Sequence, residues 1–297
     1  MKEKLKAFCR ELNIEFVGIS PPGPYKELEL ILIEREKKGH LTGLEEKDLV
    51  KRYDPSKTMP EVQSIIVCLF PYHTGHNETA NIAHYAYSID YHLIIKELLE
   101  EVGCYLSEQI IDFKYMSFVD TGPLVDRYLA YLAGLGFFGI NNSFINDKYG
   151  SYVNIGYILN NYPFEPDKPL GKSCSNCGLC VKKCPGNALL GNYGMDAQKC
   201  ISYITQKKGE LTKGEQESLK AVGSAFGCDE CQKICPHNKK AQPTPLEQFT
   251  KNPLYRIDTE ELRVLTNKQF KEKFGNRAFS WRGKSILLRN LDIIEGK

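Results

Sequence analysis

The sequence lacks the features that mark membrane-bound and exported proteins. No apolar run approaches the roughly 18 residues that a membrane-spanning helix needs. The first sixteen residues, MKEKLKAFCRELNIEF, carry charges throughout and contain neither an apolar core nor a twin arginine. They predict an amphipathic helix rather than an export signal. We therefore expect a cytoplasmic protein in a reducing compartment.

An excess of charge of one sign is also absent. The formal net charge is +2 over 297 residues, which by itself is too small to indicate a nucleic-acid partner. The charge is unevenly distributed, however, because seven basic residues and one acidic residue lie between positions 268 and 289. This basic stretch is either a solvated helix face or a phosphate-binding surface, and the sequence leaves both interpretations open.

A dinucleotide-binding fingerprint is absent too, as are internal repeats outside the cysteine motifs. The glycine-rich residues 134–142 follow a predicted helix instead of lying between a strand and a helix, which is the wrong order for that fingerprint. These glycines either bring the backbone close to a flat ligand or form a simple turn. With 42% hydrophobic and 26% charged residues, the composition is that of an ordinary globular protein of about two domains.

Cysteine, by contrast, is abundant and clustered. Eight of the eleven cysteines lie between positions 174 and 235. They form the motif C-x2-C-x2-C-x3-C-P at residues 174–185 and the motif C-x2-C-x3-C-P at residues 228–236, with the single Cys200 between them. This spacing is typical of a ferredoxin-type segment that binds two [4Fe–4S] clusters.

The spacing also predicts which cysteines share a cluster. The cysteine before each proline ligates the cluster of the other motif, and Cys200 supplies the ligand that the second motif lacks. One cluster is expected on Cys174, Cys177, Cys180 and Cys235, and the other on Cys184, Cys200, Cys228 and Cys231. A zinc ribbon and a set of disulfides are weaker alternatives, because zinc favours closed groups of four ligands and disulfides need an oxidising compartment.

The residues before about 165 mix helical and extended patterns, which predicts an α+β domain. Helices are expected at residues 26–38, 92–109 and 123–135, and strands at residues 14–19, 64–70, 116–120 and 151–160. The three cysteines of this domain, Cys9, Cys68 and Cys104, are expected to be buried as small apolar residues. The predicted division is an α+β domain at residues 1–165, a ferredoxin-like domain at residues 166–240 and a helical basic segment at residues 241–297.

Asp120 lies where a predicted strand meets a predicted helix. A Thr-Gly turn follows it, and then Pro123, whose fixed φ suits the first position of a helix. Asp120 therefore either projects into a crevice at the edge of the sheet or only caps that helix.

Seven short motifs, in the same order over nearly the whole chain, resemble those of the epoxyqueuosine reductase family. They are VDTGPL at residues 119–124, DR at 126–127, AGLGF at 133–137, GSY at 150–152, KCISY at 199–203, GCDECQ at 227–232 and SWRGK at 280–284. The resemblance implies a nitroreductase-like, cobalamin-binding α+β domain, followed by the ferredoxin-like domain and a short helical C-terminal tail.

The resemblance also implies an activity. Members of that family use base-off cobalamin, without a protein histidine on cobalt, and two [4Fe–4S] clusters to remove the epoxide oxygen of epoxyqueuosine at the wobble position of certain tRNAs. We accordingly expect the clusters to deliver electrons to cobalt and a flavodoxin- or ferredoxin-type protein to supply them. The expected substrate is a tRNA anticodon stem-loop, and the protein is expected to be a monomer.

Residue roles follow from the same resemblance. Asp120 matches the family's proton donor, and the expected cofactor-contacting positions are Arg52, Tyr91, His92, Asp120, Phe144, Ile155 and Ser202. Phe144 and Ile155 are expected to contact the cofactor through either the side chain or the backbone. His92 is not expected to ligate cobalt, because residues 90–95 contain only the first half of the D-x-H-x-x-G signature; a buried, hydrogen-bonded histidine is its other interpretation. The expected tRNA phosphate contacts are Arg282, Lys284 and Arg289.

Two departures from the family pattern bear on function. Ile140 stands where the family usually has lysine, so one positive charge is missing. Most members also continue beyond the SWRGK motif into helical repeats that grip tRNA, whereas this chain ends at Lys297. A smaller tRNA-binding surface or a different substrate would follow. The alternatives are a related cobalamin and iron–sulfur reductase that acts on a small molecule, as the reductive dehalogenases do, and a non-catalytic electron carrier.

Overall fold

A four-stranded antiparallel sheet organises the N-terminal half of the chain. The computed structural model describes residues 1–297, and the sheet has the strand order β1-β2-β6-β3. The strands are β1 (Phe16–Ser20), β2 (Ser64–Pro71), β3 (Tyr115–Val119), β4 (Phe137–Phe138), β5 (Phe144–Ile145) and β6 (Val153–Asn160), with β4 and β5 forming a separate hairpin. No helix combines the length and the apolar character that a membrane crossing requires.

Eleven α-helices surround this sheet and complete the chain. They are α1 (Lys2–Glu11), α2 (Lys26–Lys37), α3 (Tyr91–Gln109), α4 (Asp126–Leu132), α5 (Leu179–Lys183), α6 (Ile201–Ile204), α7 (Lys213–Val222), α8 (Glu230–Lys233), α9 (Thr259–Val264), α10 (Asn267–Phe274) and α11 (Lys284–Glu295). The helices of the cysteine-rich segment are short, because turns that place cysteines interrupt them.

Strand β2 is buried along its whole length because helices cover both faces of the sheet. Its side chains alternate between two apolar clusters, with Ile66, Cys68 and Phe70 on one face and Ile65, Val67 and Leu69 on the other. The first cluster packs against α1 and α3, and the second against α2 and α4. Each such buried side chain contributes about 1.5–3 kcal/mol by leaving water, which explains the uninterrupted apolar run in the sequence.

Most predicted elements are confirmed to within a few residues, but the start of the helix after Asp120 was predicted wrongly. Helix α4 begins at Asp126 and has Val125 as its N-cap, without a side-chain cap. Pro123 is therefore in a loop and is not the first residue of the helix. The interpretation of Asp120 as a helix cap is also wrong, because its carboxylate accepts a hydrogen bond from Tyr91 instead.

The burial expected of the three N-terminal cysteines holds for two of them. Cys9 and Cys68 are fully buried in the core, whereas Cys104 is exposed. Helix α3 buries Val102 and Leu106, and position 104 falls on the opposite side of the same helical turns. The prediction that Cys104 is buried, which rested on its apolar neighbours in the sequence, is therefore wrong.

The segment at residues 241–297 is helical, as predicted, and it packs on the N-terminal core. Leu262 of α9, Phe270 of α10 and Leu291 of α11 belong to the same apolar cluster as α1 and α3. Asn290 is fully buried, and its Nδ2 donates to the carbonyl oxygens of Thr205 and Ala225 at 2.7 and 2.8 Å. These bonds join α11 to the cysteine-rich segment.

Candidate active site

Asp120 lies at the end of β3 in a left-handed backbone conformation. Its φ is +53°, a conformation that aspartate adopts more readily than most residues, at a cost of about 1–2 kcal/mol. The side chain is 60% exposed because it faces an open cleft. This cleft, of about 310 Å³, is lined among others by Arg52, Tyr91, Asp120, Asp126, Arg127, Asn154 and Ile155.

The first turn of α3 supplies the partners of Asp120. The hydroxyl of Tyr91 donates to Asp120 Oδ2 at 2.7 Å, and His92 Nε2 lies 3.5 Å from the same oxygen, an ion-pair distance rather than that of a well-formed hydrogen bond. On its other side, His92 Nδ1 lies 2.7 Å from Oδ1 of Asp90. Asp90 is also the N-cap of α3, since it accepts from the backbone N–H of His92. Two carboxylates therefore flank one imidazole.

These contacts set the protonation states of the group. The protein atoms around the cleft partly desolvate Asp120, which raises its pKa, but its contacts with His92 and Tyr91 outweigh that effect and hold its pKa below the usual value. Burial lowers the pKa of His92, but the carboxylates of Asp120 and Asp90 outweigh it and raise the pKa to about 9. At neutral pH, Asp120 is therefore ionised and the proton of the group resides on His92.

A second carboxyl in the cleft behaves in the opposite way. Burial, followed by the nearby charge of Asp120, raises the pKa of Asp126 to about 8, so that this carboxyl holds its proton at neutral pH. Asp126 belongs to a sequence motif but carried no predicted role. No local signal distinguished it from other helix-starting aspartates.

Two buried donors in the cleft have no hydrogen-bond partner in the protein. They are Nη1 of Arg52 and Nδ2 of Asn154, and both residues line the cleft. A buried donor without an acceptor costs about 1–3 kcal/mol, so such groups fit a ligand that brings acceptor oxygens. The periphery of a corrin ring carries amide oxygens, and these two donors are therefore suited to it. Asn154 was missed at the sequence level, because nothing in a strand sequence shows that one amide lacks a partner.

The structure brings together most of the predicted cofactor-contacting residues, but not all of them. Arg52, Tyr91, Asp120 and Ile155 line the cleft, and His92 lies beside it. The side chain of Phe144 is buried in the apolar core of the sheet instead.

Ser202 also lies outside the cleft. It is on α6, two residues after Cys200, and its side chain lies near that of Tyr85. The ring of Tyr85 in turn packs edge-on against Tyr91, with ring centroids 6.1 Å apart. Ser202 therefore lies at the cysteine-rich segment, one tyrosine removed from the cleft.

The eight clustered cysteines surround two cavities, in the two sets predicted from their spacing. Cys174, Cys177, Cys180 and Cys235 line one cavity. Cys184, Cys200, Cys228 and Cys231 line the other, of about 200 Å³. Neither set converges on one point as the ligands of a single metal ion would. This geometry suits a cubane, which holds its four thiolates on separate iron atoms.

Burial favours the neutral form of two thiols of the second set, those of Cys228 and Cys231. It raises the pKa of Cys228 to about 12 and that of Cys231 well above the usual value. Because iron binds thiolates, assembly of the cluster must release these protons.

Ile140 and Asn141 lie between the hairpin β4–β5 and the cysteines. Ile140 is buried and packs against Cys174 and Cys180, so it contributes to the apolar surroundings of the first cavity. Asn141 lines both cysteine cavities, and Arg127 lines the second cavity and the cleft. The two cysteine sets and the cleft are therefore arranged in series.

The predicted tRNA-contacting residues differ in whether their side chains already donate hydrogen bonds within the protein. Lys284 Nζ donates to the carbonyl oxygen of Leu265, and Arg289 donates to that of Lys207 at 2.7 Å. Arg282 forms no hydrogen bond or ion pair, and its guanidinium lies 3.8 Å from the ring centroid of Trp281. Of the three, only Arg282 donates no hydrogen bond within the protein, and its Nε is buried without a partner.

Comparison with known proteins identifies both halves of this arrangement. The family model described as "Epoxyqueuosine reductase QueG, DUF1730" matches residues 52–121, and the model for a 4Fe-4S double cluster binding domain matches residues 173–238. The epoxyqueuosine reductase of Bacillus cereus is 34% identical over 98% of this chain and 78% of its own length. That of Listeria monocytogenes is 36% identical over 99% of this chain and 80% of its own length.

Solved structures agree with these matches. A crystal structure of epoxyqueuosine reductase with an epoxyqueuosine-modified tRNA-Tyr stem loop superposes with a TM-score of 0.92 at 32% identity, over 99% of this chain and 80% of the other. A reductive dehalogenase described as B12-dependent has a TM-score of 0.51 at 16% identity, over 99% of this chain and 36% of the other. At that identity the second likeness concerns the fold alone.

Proposed function

The chain belongs to the epoxyqueuosine reductase family, and from that membership and the geometry of the cleft we propose the roles of its residues. It is an oxidoreductase of tRNA modification that reduces epoxyqueuosine to queuosine and carries a double [4Fe–4S] cluster segment. The observation that carries the assignment to this chain is the serial arrangement of a cleft containing Asp120 and two cysteine cavities.

Cobalamin is the cofactor proposed for the cleft. The unpaired donors Arg52 Nη1 and Asn154 Nδ2 would hold amide oxygens at its edge, and Ile155 would contribute apolar surface. When bound, reduced cobalamin supplies the electrons and the nucleophilic metal that act on the epoxide. The proposal is supported by the donor set of the cleft and by the match to the family.

Asp120 is proposed to deliver a proton to the departing oxygen. Conversion of an epoxide to an alkene consumes two electrons and two protons and releases one water, so the site must move protons as well as electrons. Asp120 is ionised here, and the adjacent His92 holds the proton. Closure of the cleft by a flat cofactor and a nucleoside removes water, which raises the pKa of a carboxyl and lowers that of an imidazole. Both shifts favour transfer of the proton from His92 to Asp120.

The proposed electron path follows the order of the cavities. Cys174, Cys177, Cys180 and Cys235 would hold the outer cluster, and Cys184, Cys200, Cys228 and Cys231 the cluster next to the cleft. Arg127 lies between that inner set and the cleft. The tRNA stem-loop is the proposed macromolecular partner, because a relative has been crystallised with one.

The test is anaerobic reconstitution with iron, sulfide and cobalamin, followed by metal counting and a turnover assay on tRNA that carries epoxyqueuosine. We expect about eight irons and one cobalt per chain, with loss of the epoxide oxygen. Bound cobalamin without turnover of this tRNA would overturn the proposed substrate and favour a reductase that acts on a small molecule. Eight irons without cobalamin would leave an electron carrier and overturn the assignment of the cleft.

A further inference from the structure

The only tryptophan of the chain is exposed in a turn whose other apolar residues are buried. Trp281 belongs to a 3-10 turn, Ala278–Arg282, in which Ala278 and Phe279 are anchored in the core. The residue is 54% exposed, although an indole is among the side chains that gain most from burial. Much of the indole surface is therefore left in solvent.

Arg282 covers part of this indole and stays free to bind an anion. Its guanidinium lies 3.8 Å from the ring centroid, a cation–π arrangement, and it donates no hydrogen bond. The neighbouring cations are engaged: Arg277 donates to the carbonyl oxygen of Tyr87, and Lys284 and Arg289 also donate to backbone carbonyls. Arg282 is thus the arginine of the basic stretch whose guanidinium has no acceptor in the protein.

One hydrogen bond ties the segment before this pair to the catalytic site, and a second fixes the indole. The backbone N–H of Asp90 donates to the carbonyl oxygen of Asn276 at 2.7 Å, which holds the start of the turn at the residue that contacts His92. Trp281 Nε1 donates to Oε1 of Gln206 at 3.0 Å, which fixes the indole. Trp281 follows Asn276 by five positions, so even an extended backbone would keep the two residues within about 18 Å of each other.

We propose that Trp281 and Arg282 form a stacking platform for an unpaired base of the tRNA anticodon loop, next to the nucleotide that enters the cleft. The inference rests on the proposed function. Proteins read single-stranded RNA loops by splaying bases onto aromatic rings and arginine planes, and a fixed indole beside an unpaired guanidinium offers both the stack and a phosphate contact. This site is distinct from the helical surface of Lys284 and Arg289.

The test compares binding of a labelled anticodon stem-loop RNA by the reconstituted holoenzyme and its variants at one salt concentration. Trp281→Ala is expected to weaken binding about 5- to 150-fold, the range that corresponds to loss of one base–aromatic stack. Trp281→Phe should recover most of this loss, because it restores a π-face. Leu30→Ala serves as the control, because Leu30 is 70% exposed on α2, away from the turn.

A second RNA separates stacking from charge. A fully paired duplex of the same length offers phosphates but no unpaired base, so Trp281→Ala should bind it as the wild type does. Arg282→Gln should weaken binding of both RNAs and reduce the salt slope by about one. If the alanine variant loses iron, Trp281→Leu, which keeps apolar bulk without a π-face, replaces it.

The outcomes distinguish the platform from the proposed function. If the wild type binds the stem-loop and reduces epoxyqueuosine while Trp281→Ala and Trp281→Leu bind equally well, the platform is wrong and the function stands. If the wild type neither binds the stem-loop nor reduces epoxyqueuosine, both are overturned.

Discussion

At the residue scale, the charge state of Asp120 matters as much as its position. The left-handed backbone turns the carboxylate into the cleft, where Tyr91 and His92 hold it ionised. A general acid must carry a proton when its substrate arrives. The residue therefore works together with His92, and each of the two has its own experimental signature.

Replacement of Asp120 by asparagine is expected to reduce turnover of epoxyqueuosine on the order of 10²–10⁴-fold, because an amide has no proton of suitable acidity to donate. The iron content should not change, since Asp120 lines neither cysteine cavity. Asp147→Asn is the matched control, because Asp147 is an exposed ion-pair partner of Lys172. Wild-type turnover by Asp120→Asn would remove the residue from the mechanism.

His92 is expected to make stability fall as the solution becomes alkaline. Its folded-state pKa of about 9 lies above the ordinary value near 6.5. The stabilisation from its charged form is therefore complete below about pH 6.5 and is lost as the pH rises through 9. Between these values the apparent Tm, measured at one scan rate, should fall more for the wild type than for His92→Gln.

The control for this comparison is His40→Gln, because the imidazole of His40 donates no hydrogen bond and lies outside the cleft. Its Tm should follow the wild-type pH dependence. Parallel Tm curves for the wild type and His92→Gln would show that the two aspartates do not hold a charged imidazole.

At the scale of elements, the hairpin β4–β5 supports the surroundings of the cysteines. A Cβ at Gly136 would lie 2.2 Å from the carbonyl oxygen of Ile145 and 2.8 Å from the ring of Phe144. The hairpin can pair closely only with glycine at this position. The glycine-rich stretch is therefore a packed hairpin. This agrees with the second of the two interpretations from the sequence, in which these glycines form a turn.

Gly136→Ala is accordingly expected to cost about 1–3 kcal/mol of stability, because the added methyl must displace backbone. It should also accelerate cluster loss, since Ile140 and Asn141 on this hairpin line the first cavity. Bleaching of the cluster absorbance in urea reports both effects. Gly214→Ala is the control, because a Cβ there meets nothing within 4 Å and the position is helical. Equal bleaching rates in the two variants would contradict the role of the hairpin.

At the scale of the whole molecule, the C-terminal helices join the two functional parts. Their apolar residues complete the core beneath α3, while Asn290 bonds to the carbonyl oxygens of Thr205 and Ala225 in the cysteine-rich segment. Helix α3 presents Tyr91 and His92 to the cleft. The relative position of the cleft and the inner cysteine set therefore depends on residues distant from both in sequence.

Asn290→Ala should weaken this connection by about 1–3 kcal/mol, because it leaves two buried carbonyl oxygens without their donor. We expect a lower urea midpoint and faster cluster loss. Ser285→Ala on the same helix is the control, since Ser285 is exposed and forms no hydrogen bond. An unchanged midpoint for Asn290→Ala would mean that water or a shift of α11 replaces these bonds.

The sequence by itself predicted the two groups of cysteines that line the two cavities, and most of the helices and strands. Ligand spacing is a local constraint, because three cysteines within seven residues can reach one cluster only from a single loop. The apolar run of β2 is likewise local, since a strand buried on both faces needs apolar residues at every position.

Only the tertiary structure decided which groups meet and what charge they carry. Arg52, Tyr91, Asp120 and Asn154 come from four distant parts of the chain and meet in one cleft. The proton of the site resides on His92 because two carboxylates flank it. Lys284 and Arg289 donate to backbone carbonyl oxygens, whereas the guanidinium of Arg282 has no acceptor in the protein. Protonation and hydrogen-bond satisfaction depend on every neighbour in space, and a sequence lists only the neighbours along the chain.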